Sequence, residues 1–453
     1  MADARRLFLV VFVLVLAAGQ AAVGMRASRT ASTTGDEPFY LLTAQSLQSD
    51  GDLDLRDEYR KREYRQFWDG TVSLWKQMTP APDGRLLAPH DPGLPLLVLP
   101  AYAAGGLRGV QRFLVLLWAA AMACAALLAR RAGAPPWAAA LGAVVVGAGT
   151  PGIVYASQVY PEGSAALAVA LGLLLATGER ARPFLLALVL IALAWLGVKY
   201  VPLGMVVAFV HVRRHGIDRR ALAVLAVAAV HYLWWHVHTF GGLTPYSTNI
   251  VWSGEGDSSI LADHVDWSGR SYRLYGLFLD ARFGLFRWLP LAVLALWGIR
   301  RRTTMHAGVL ALCVLMGTFV SITMMGWWFP GRMLIAGFGA LVVLVALGAA
   351  RLPRTAVVLG AWSLAVAVAL VVAARTGDVR LAVDPFTVGF PLAPAALLPD
   401  FRGFGARQVA LSGAWVAALT MLLWRSSSSS TATRWPTAPS SPFPPTWRLR
   451  RAR

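Results

Sequence analysis

LFLVVFVLVLAAGQAAVGM, Leu7 to Met25, carries no charged side chain, and a short polar stretch separates it from TTGDEPFYLLTAQSL, Thr33 to Leu47. The first run decides the fold class. A helix crossing a bilayer needs about 20 apolar residues, because lipid offers backbone N–H and C=O groups no partner outside their own segment. The second stretch places two adjacent acids, Asp36 and Glu37, before Pro38 and a segment with helical spacing. Acids at such an edge call for an explanation.

The pattern of the first run recurs along the chain. Of 453 residues, 57% are hydrophobic and only 14% charged, where a soluble domain averages about 25% charged. The chain therefore reads as all-α, a polytopic transmembrane helical bundle of about 12 spans. Spans are expected at 7–25, 109–129, 138–157, 164–178, 184–198, 200–212, 221–239, 287–299, 307–328, 333–350, 356–374 and 408–424. Several fall short of ~17 residues, which implies tilted, broken or merged helices. Between 184–198 and 200–212 only Lys199 and Tyr200 are left to turn the chain. The stretch 93–107 is too short to span and contains Pro95 and Pro100, so it reads as interfacial or re-entrant. Residues 1–424 form one membrane domain. Its long outer segments are 26–108, which carries the acidic motif and interfacial helices, 240–286 and 375–407. The Ser/Pro-rich, basic stretch 425–453 reads as a disordered cytoplasmic tail near anionic lipid. No internal repeat is visible.

Net charge is +19, which could suggest a nucleic-acid partner. Its distribution argues otherwise. Arginine clusters at Arg5-Arg6, Arg130-Arg131, Arg213-Arg214, Arg219-Arg220 and Arg300–Arg302 all fall on the side that holds both termini. That side carries 21 Lys/Arg against 3 Asp/Glu, and the other 21 against 20. This is the positive-inside pattern, with both termini cytoplasmic and nearly all the acids outside. Only Lys61, Lys76 and Lys199 are lysines, a bias of GC-rich bacterial genomes, so a bacterial cytoplasmic (inner) membrane is expected. Residues 1–24 could also be a cleaved signal peptide, but the apolar run exceeds a usual signal core and favours a retained anchor. Cys124 and Cys313 sit in apolar runs and read as small core residues, not a disulfide or zinc pair.

Four short elements could carry chemistry. Asp36-Glu37-Pro38 puts two carboxylates at a helix start, with Glu37 extended and Pro38 at the first helical position. Tyr40, Ala44 and Leu47 then share one face and Gln45, Gln48 and Ser49 another, as suits a helix in the membrane interface. The plainer alternative is that the acids cap free amides and suit the helix dipole. In LLAPHDPGLPLLVLPAY, His90 and Asp91 precede a Pro-Gly turn, and the alternative is an N-cap aspartate. In SQVYPEGSAAL, Glu162 lies at the outer end of a hairpin, either solvated or at membrane depth, where ionisable groups carry function. Lys199 either snorkels or faces a polar cavity. In MMGWWFPGRMLI, Arg332 follows a helix-breaking Pro-Gly and either anchors the interface or grips a phosphate through paired hydrogen bonds. HYLWWHVH sets His231 and His238 on one face with His236 off it. Without a nearby carboxylate, no metal set is assigned.

These elements, in this order, resemble the GT-C superfamily of integral-membrane glycosyltransferases, and among them the polyprenyl-phosphate-sugar users: protein mannosyltransferases and lipid A aminoarabinose transferases. GDEPFY is similar to that family's first-loop acidic motif, and HDPGLPLLVLPAYAAGG to its proline-rich segment. QVYPEG and LGVKY resemble its outer-edge acid and lysine, and WWFPGR its late aromatic-Pro-Gly-Arg element. The resemblance covers most of residues 1–350. It implies an enzyme in which Asp36 or Glu37 is the general base, Asp36 being the better match. Arg332 and Lys199 would hold the donor phosphate. Tyr40, His90, Asp91, Tyr160, Glu162 and Trp328 would contact sugar and acceptor. The implied reaction is an inverting single displacement moving a sugar of the mannose or arabinose class onto a lipid or cell-envelope glycan. The chain lacks the folded C-terminal outer domain of larger members, which speaks against a protein acceptor. No cofactor is assigned, and a divalent cation is left open. The partners implied are the lipid-phosphate donor, the acceptor and membrane lipid, with no nucleic acid. The rival classes are a multi-span transporter or flippase of an envelope precursor and a non-catalytic assembly protein. Long outer loops, rather than a long central cytoplasmic one, favour the transferase.

Overall fold

The structure is a computed structural model that describes residues 2–28, 31–250, 266–321, 323–382, 385–389, 391–393, 395–403 and 405–428. Among the described residues every regular element is a helix. Six helical stretches among the described residues are long and apolar enough to cross a membrane: Gly93–Arg131, Arg219–Phe240, Arg301–Phe319, Arg332–Arg351, Pro353–Thr376 and Ala406–Trp424. Pro136–Ala148, Pro161–Ala176 and Pro183–Leu196 are apolar but shorter. The opening run forms Ala2–Gln20, whose first turns carry Asp3, Arg5 and Arg6.

Gly93–Arg131 is the axis. Ala2–Gln20, Glu37–Ser49, Pro161–Ala176 and Phe338–Arg351 all pack on it. Alanine is what allows this, since Ala119, Ala121, Ala123, Ala125 and Ala126 are fully buried and let neighbouring backbones approach closely. The outer helices Arg219–Phe240, Pro353–Thr376 and Ala406–Ser428 leave Val227, Val230, Val368 and Val409 exposed. Such faces are costly in water and are what a lipid-facing helix presents.

Several sequence expectations change. The segment 93–107 is continuous with the next span rather than a separate piece, joined through non-helical Gly105 and Gly106. The expected span 138–157 stops at Ala148, before Gly149-Thr150-Pro151, and resumes as one turn, Gly152–Tyr155. The expected span 287–299 is divided into Leu285–Trp288, a 3₁₀ turn Pro290–Leu294 and Ala295–Gly298, because Pro290 has no N–H to continue the ladder. The expected span 307–328 ends at Phe319. Pro183–Leu196 and Val201–His215 are separate helices, turned by a single 3₁₀ turn at Val198–Tyr200. The start of the expected tail, up to Ser428, continues Ala406–Ser428 as helix. Residues 429–453, and 251–265 of the expected second outer loop, lie outside the described residues. Cys124 and Cys313 are buried free thiols, as expected.

The largest correction concerns Glu37–Ser49. Its residues Glu37 to Ala44 and Ser46 are buried, so it does not lie open in a membrane interface. The segment 50–92 folds over it. Trp75 meets Phe39 edge-on at 5.5 Å and His90 stacks on Tyr40 at 4.6 Å. Aromatic cover of this kind removes most of a short helix from solvent.

Candidate active site

Helix Glu37–Ser49 begins inside the expected motif, with Glu37 its first helical residue rather than extended, and Pro38 in its first turn. Asp36 occupies the N-cap position, yet its side chain makes no capping hydrogen bond. The carboxylate turns to groups far away in sequence. Arg332 Nη2 donates to Asp36 Oδ2 at 2.7 Å, and Gln77 Nε2 donates to Asp36 Oδ1 at 3.1 Å. His90 Nε2 lies 2.9 Å from Gln77 Oε1 and 3.9 Å from Asp36 Oδ1.

Arg332 continues the network. Its Nε donates to Glu162 Oε1 at 2.9 Å, and Lys199 Nζ reaches the same oxygen at 2.9 Å. The guanidinium lies 3.9 Å from the Tyr160 ring centroid and 5.1 Å from that of Trp328. Two carboxylates and two cations thus alternate, Asp36–Arg332–Glu162–Lys199. Exposure falls unevenly among them: the side chains of Arg332 and Glu162 are 6% and 4% exposed, Asp36 is 19% and Lys199 42%. Arg332 therefore is not the free phosphate hook the sequence pattern suggested. It is committed to two acids, and Lys199 is the cation open to a ligand.

Two glycines set this geometry. Gly35 has φ +56, and a Cβ on it would lie 2.6 Å from the Tyr160 hydroxyl. Gly331 has φ +85, and a Cβ there would lie 2.7 Å from Pro151 Cγ. Each precedes a network residue, so the left-handed backbone that glycine tolerates aims Asp36 and Arg332 at one another.

The adjacent acids diverge. Burial alone would raise the Asp36 carboxyl, but the Arg332 guanidinium and His90 outweigh it and hold the group well below the usual carboxylate range. Glu37 points the other way. Its Oε2 accepts from the Val159 N–H at 3.1 Å and its Oε1 from the Thr34 N–H at 3.4 Å. Burial pushes Glu37 up to about 8, and those two N–H donors offset it only in part. Asp36 therefore faces the network as a fixed anion, while Glu37 ties the helix to the Val159 turn. Burial likewise lowers His90, with Asp36 opposing.

A pH test follows for Glu37. Its folded value lies above the unfolded 4.5, so the folded chain binds more protons between about 4.5 and about 8. Stability is then lost as pH rises through that window, at up to about 1.4 kcal/mol per pH unit. Glu37→Gln should flatten this part of a melting-temperature profile. Equal slopes in wild type and variant would show that Glu37 is not the titrating group.

Asp91 does not join Asp36. It is not an N-cap either, since Pro92 caps Gly93–Arg131. Tyr232 donates its hydroxyl to Asp91 Oδ1 at 2.7 Å, His236 Nε2 lies 3.0 Å from the same atom, and Val198 N–H reaches Oδ2 at 3.4 Å. Asp91 thereby fixes the turn that presents Lys199. His236, fully buried, does have a carboxylate partner that its sequence neighbourhood hid. His231 and His238 are exposed, and no metal-capable group among the described residues includes a histidine.

Buried polar atoms without partners surround the network: Glu162 Oε2, the Tyr200 hydroxyl, Trp328 Nε1 and both amide atoms of Gln158. Unsatisfied groups at this density are what a polar ligand would satisfy. Gln77, Gln158, Tyr200, Tyr232 and His236 were not singled out as site residues from the sequence, and nothing in their local pattern distinguishes them. No family model, curated protein or solved structure matches this chain.

Proposed function

We propose that this protein is a membrane glycosyltransferase that moves a sugar from a polyprenyl-phosphate donor to a lipid or envelope-glycan acceptor at the outer face of a bacterial inner membrane. One observation carries this: Asp36, Glu162, Lys199 and Arg332, from four remote segments, converge in a charged, partly open network ringed by unpartnered polar atoms. The side rests on the arginine clusters. The shorter apolar helices Pro136–Ala148, Pro161–Ala176 and Pro183–Leu196 pack on the axis.

The chemistry requires little. The acceptor hydroxyl attacks the anomeric carbon, the carbon–oxygen bond to the donor phosphate breaks, and the hydroxyl proton passes to a carboxylate. Phosphate leaves readily and needs cations more than an acid. Asp36 is the accessible carboxylate, while Glu37 is turned away. Alone, Asp36 is a poor base, because Arg332 holds its charge. An incoming phosphate competes for Lys199 and Arg332, however. Donor binding would then relax Arg332's hold and return Asp36 toward ordinary basicity, near the range a base requires. At the far end of Glu37–Ser49 lies a cavity of about 630 Å³, lined by Leu47, Leu96, Trp195 and Trp235 with Asp52, Asp54, Arg56 and Arg85. An apolar wall beside balanced charges suits an amphiphile with a polar head.

The test is transfer of labelled sugar from a polyprenyl-phosphate sugar by the purified full-length protein, with Ser49→Cys labelled by a membrane-impermeant maleimide in intact cells. Transfer and surface labelling are expected. No turnover with any donor of this class, alongside counterflow of a donor lipid across vesicles, would establish the transporter class instead. Labelling only after permeabilisation would reverse the orientation.

A further inference from the structure

We propose a second, separate site in the first outer loop: a divalent cation of the calcium class held by Asp50, Asp57 and Glu58. One ligand oxygen from each lies within 4.8 Å of the others. That separation is about twice the 2.3–2.6 Å calcium–oxygen distance, so one ion can reach all three.

Proximity of acids alone would not carry this, but Glu58 adds an independent fact. It is 0% exposed, and neither carboxylate oxygen accepts a hydrogen bond. A buried carboxylate with no donor is costly, and such groups are ordinarily paired or bound to a metal. The surrounding polar groups do not relieve it. Lys61 Nζ is spent on Asp57 Oδ2 at 2.5 Å and lies 3.9 Å from Glu63. Asp52 accepts from Ser46 Oγ and the Asp54 N–H, while Asp54 holds Arg56 and the Leu86 N–H. Among the described residues no cation forms an ion pair with Asp50 or Glu58. Asp50 also caps the C-terminal end of Glu37–Ser49, where the helix dipole disfavours an anion. The all-oxygen donor set selects a hard cation over zinc or copper. Such an ion would pin the far end of the helix whose other end carries Asp36.

The experiment uses the full-length protein in neutral phosphatidylcholine nanodiscs. Terbium luminescence, sensitised by the neighbouring Tyr59, reports binding, and calcium against EDTA reports the melting temperature. Saturable terbium binding displaced by calcium is expected, with a calcium-dependent rise in Tm. Glu58→Gln and Asp57→Asn should each weaken binding by about tenfold or more. Asp50→Asn, at an exposed position, serves if Glu58→Gln fails to fold. Absence of saturable binding, or unchanged affinity in the variants, overturns the site. Neither readout depends on sugar transfer.

Discussion

Asp36→Asn abolishes sugar transfer while the protein remains folded in the membrane: this is the outcome expected if the first-loop acid takes the acceptor proton. The substitution keeps the size of the side chain and an oxygen that can accept from Gln77 or Arg332. It removes the charge and the proton acceptor. A general base contributes typically about 10²–10⁴-fold, so turnover should fall by that factor, and Glu37→Gln should be far milder because Glu37 is turned toward Thr34 and Val159. The measurement is turnover of radiolabelled polyprenyl-phosphate sugar by purified variants, with folding followed by thermal shift. Near-normal turnover in both single variants and in the double variant would remove the acid pair from the mechanism. A loss in Glu37→Gln with Asp36→Asn active would exchange their roles.

Arg332→Ala is expected to destabilise the protein, not merely weaken donor binding. Its guanidinium is buried between Asp36 and Glu162. Removing one partner from a buried ion pair costs about 3–5 kcal/mol, because charges are stranded without compensation. Arg332→Lys should recover only part of this, since a single ammonium cannot present separate N–H groups to two acids. The discriminating protein is the triple variant Arg332→Gln, Asp36→Asn, Glu162→Gln, which strands no charge within the trio. It should melt above the Arg332→Gln single variant, and with the Asp36→Asn, Glu162→Gln variant as the remaining corner the cycle gives the coupling. If Arg332→Ala melts with wild type, the two ion pairs do not support the fold.

The helices were legible because apolar runs are a local signal, and so was the clustering of arginines near helix ends. The interruptions were less so. Pro290 and the Gly149–Pro151 break were visible as residues, but whether a chain bends or continues there depends on what packs alongside. The submersion of Glu37–Ser49 was not legible, since its cover comes from Trp75 and His90 across a loop. In the site, Asp36, Glu162, Lys199 and Arg332 were each marked by sequence context, while their mutual contact was not. Periodicity has no term for a pair 296 residues apart. Arg332 reads as a free hook only until its neighbours are known. Asp91 was expected as an N-cap or a sugar and acceptor contact, and its bonds to Tyr232 and His236 were not legible, because a helix distant in sequence supplies both partners.

The span between Asp36 and Arg332 also has a dimension in time. At about 5–20 residues per second, a ribosome takes roughly 15–60 s to travel from the first member of the network to the last. By the last part of that interval Asp36, Glu162 and Lys199 have all been made, and the guanidinium that pairs with the two acids has not. Closure of the site is therefore among the late events of biogenesis. A nascent chain released before residue 332 would carry its earlier apolar helices intact and still lack the cation that joins the first outer loop to the rest.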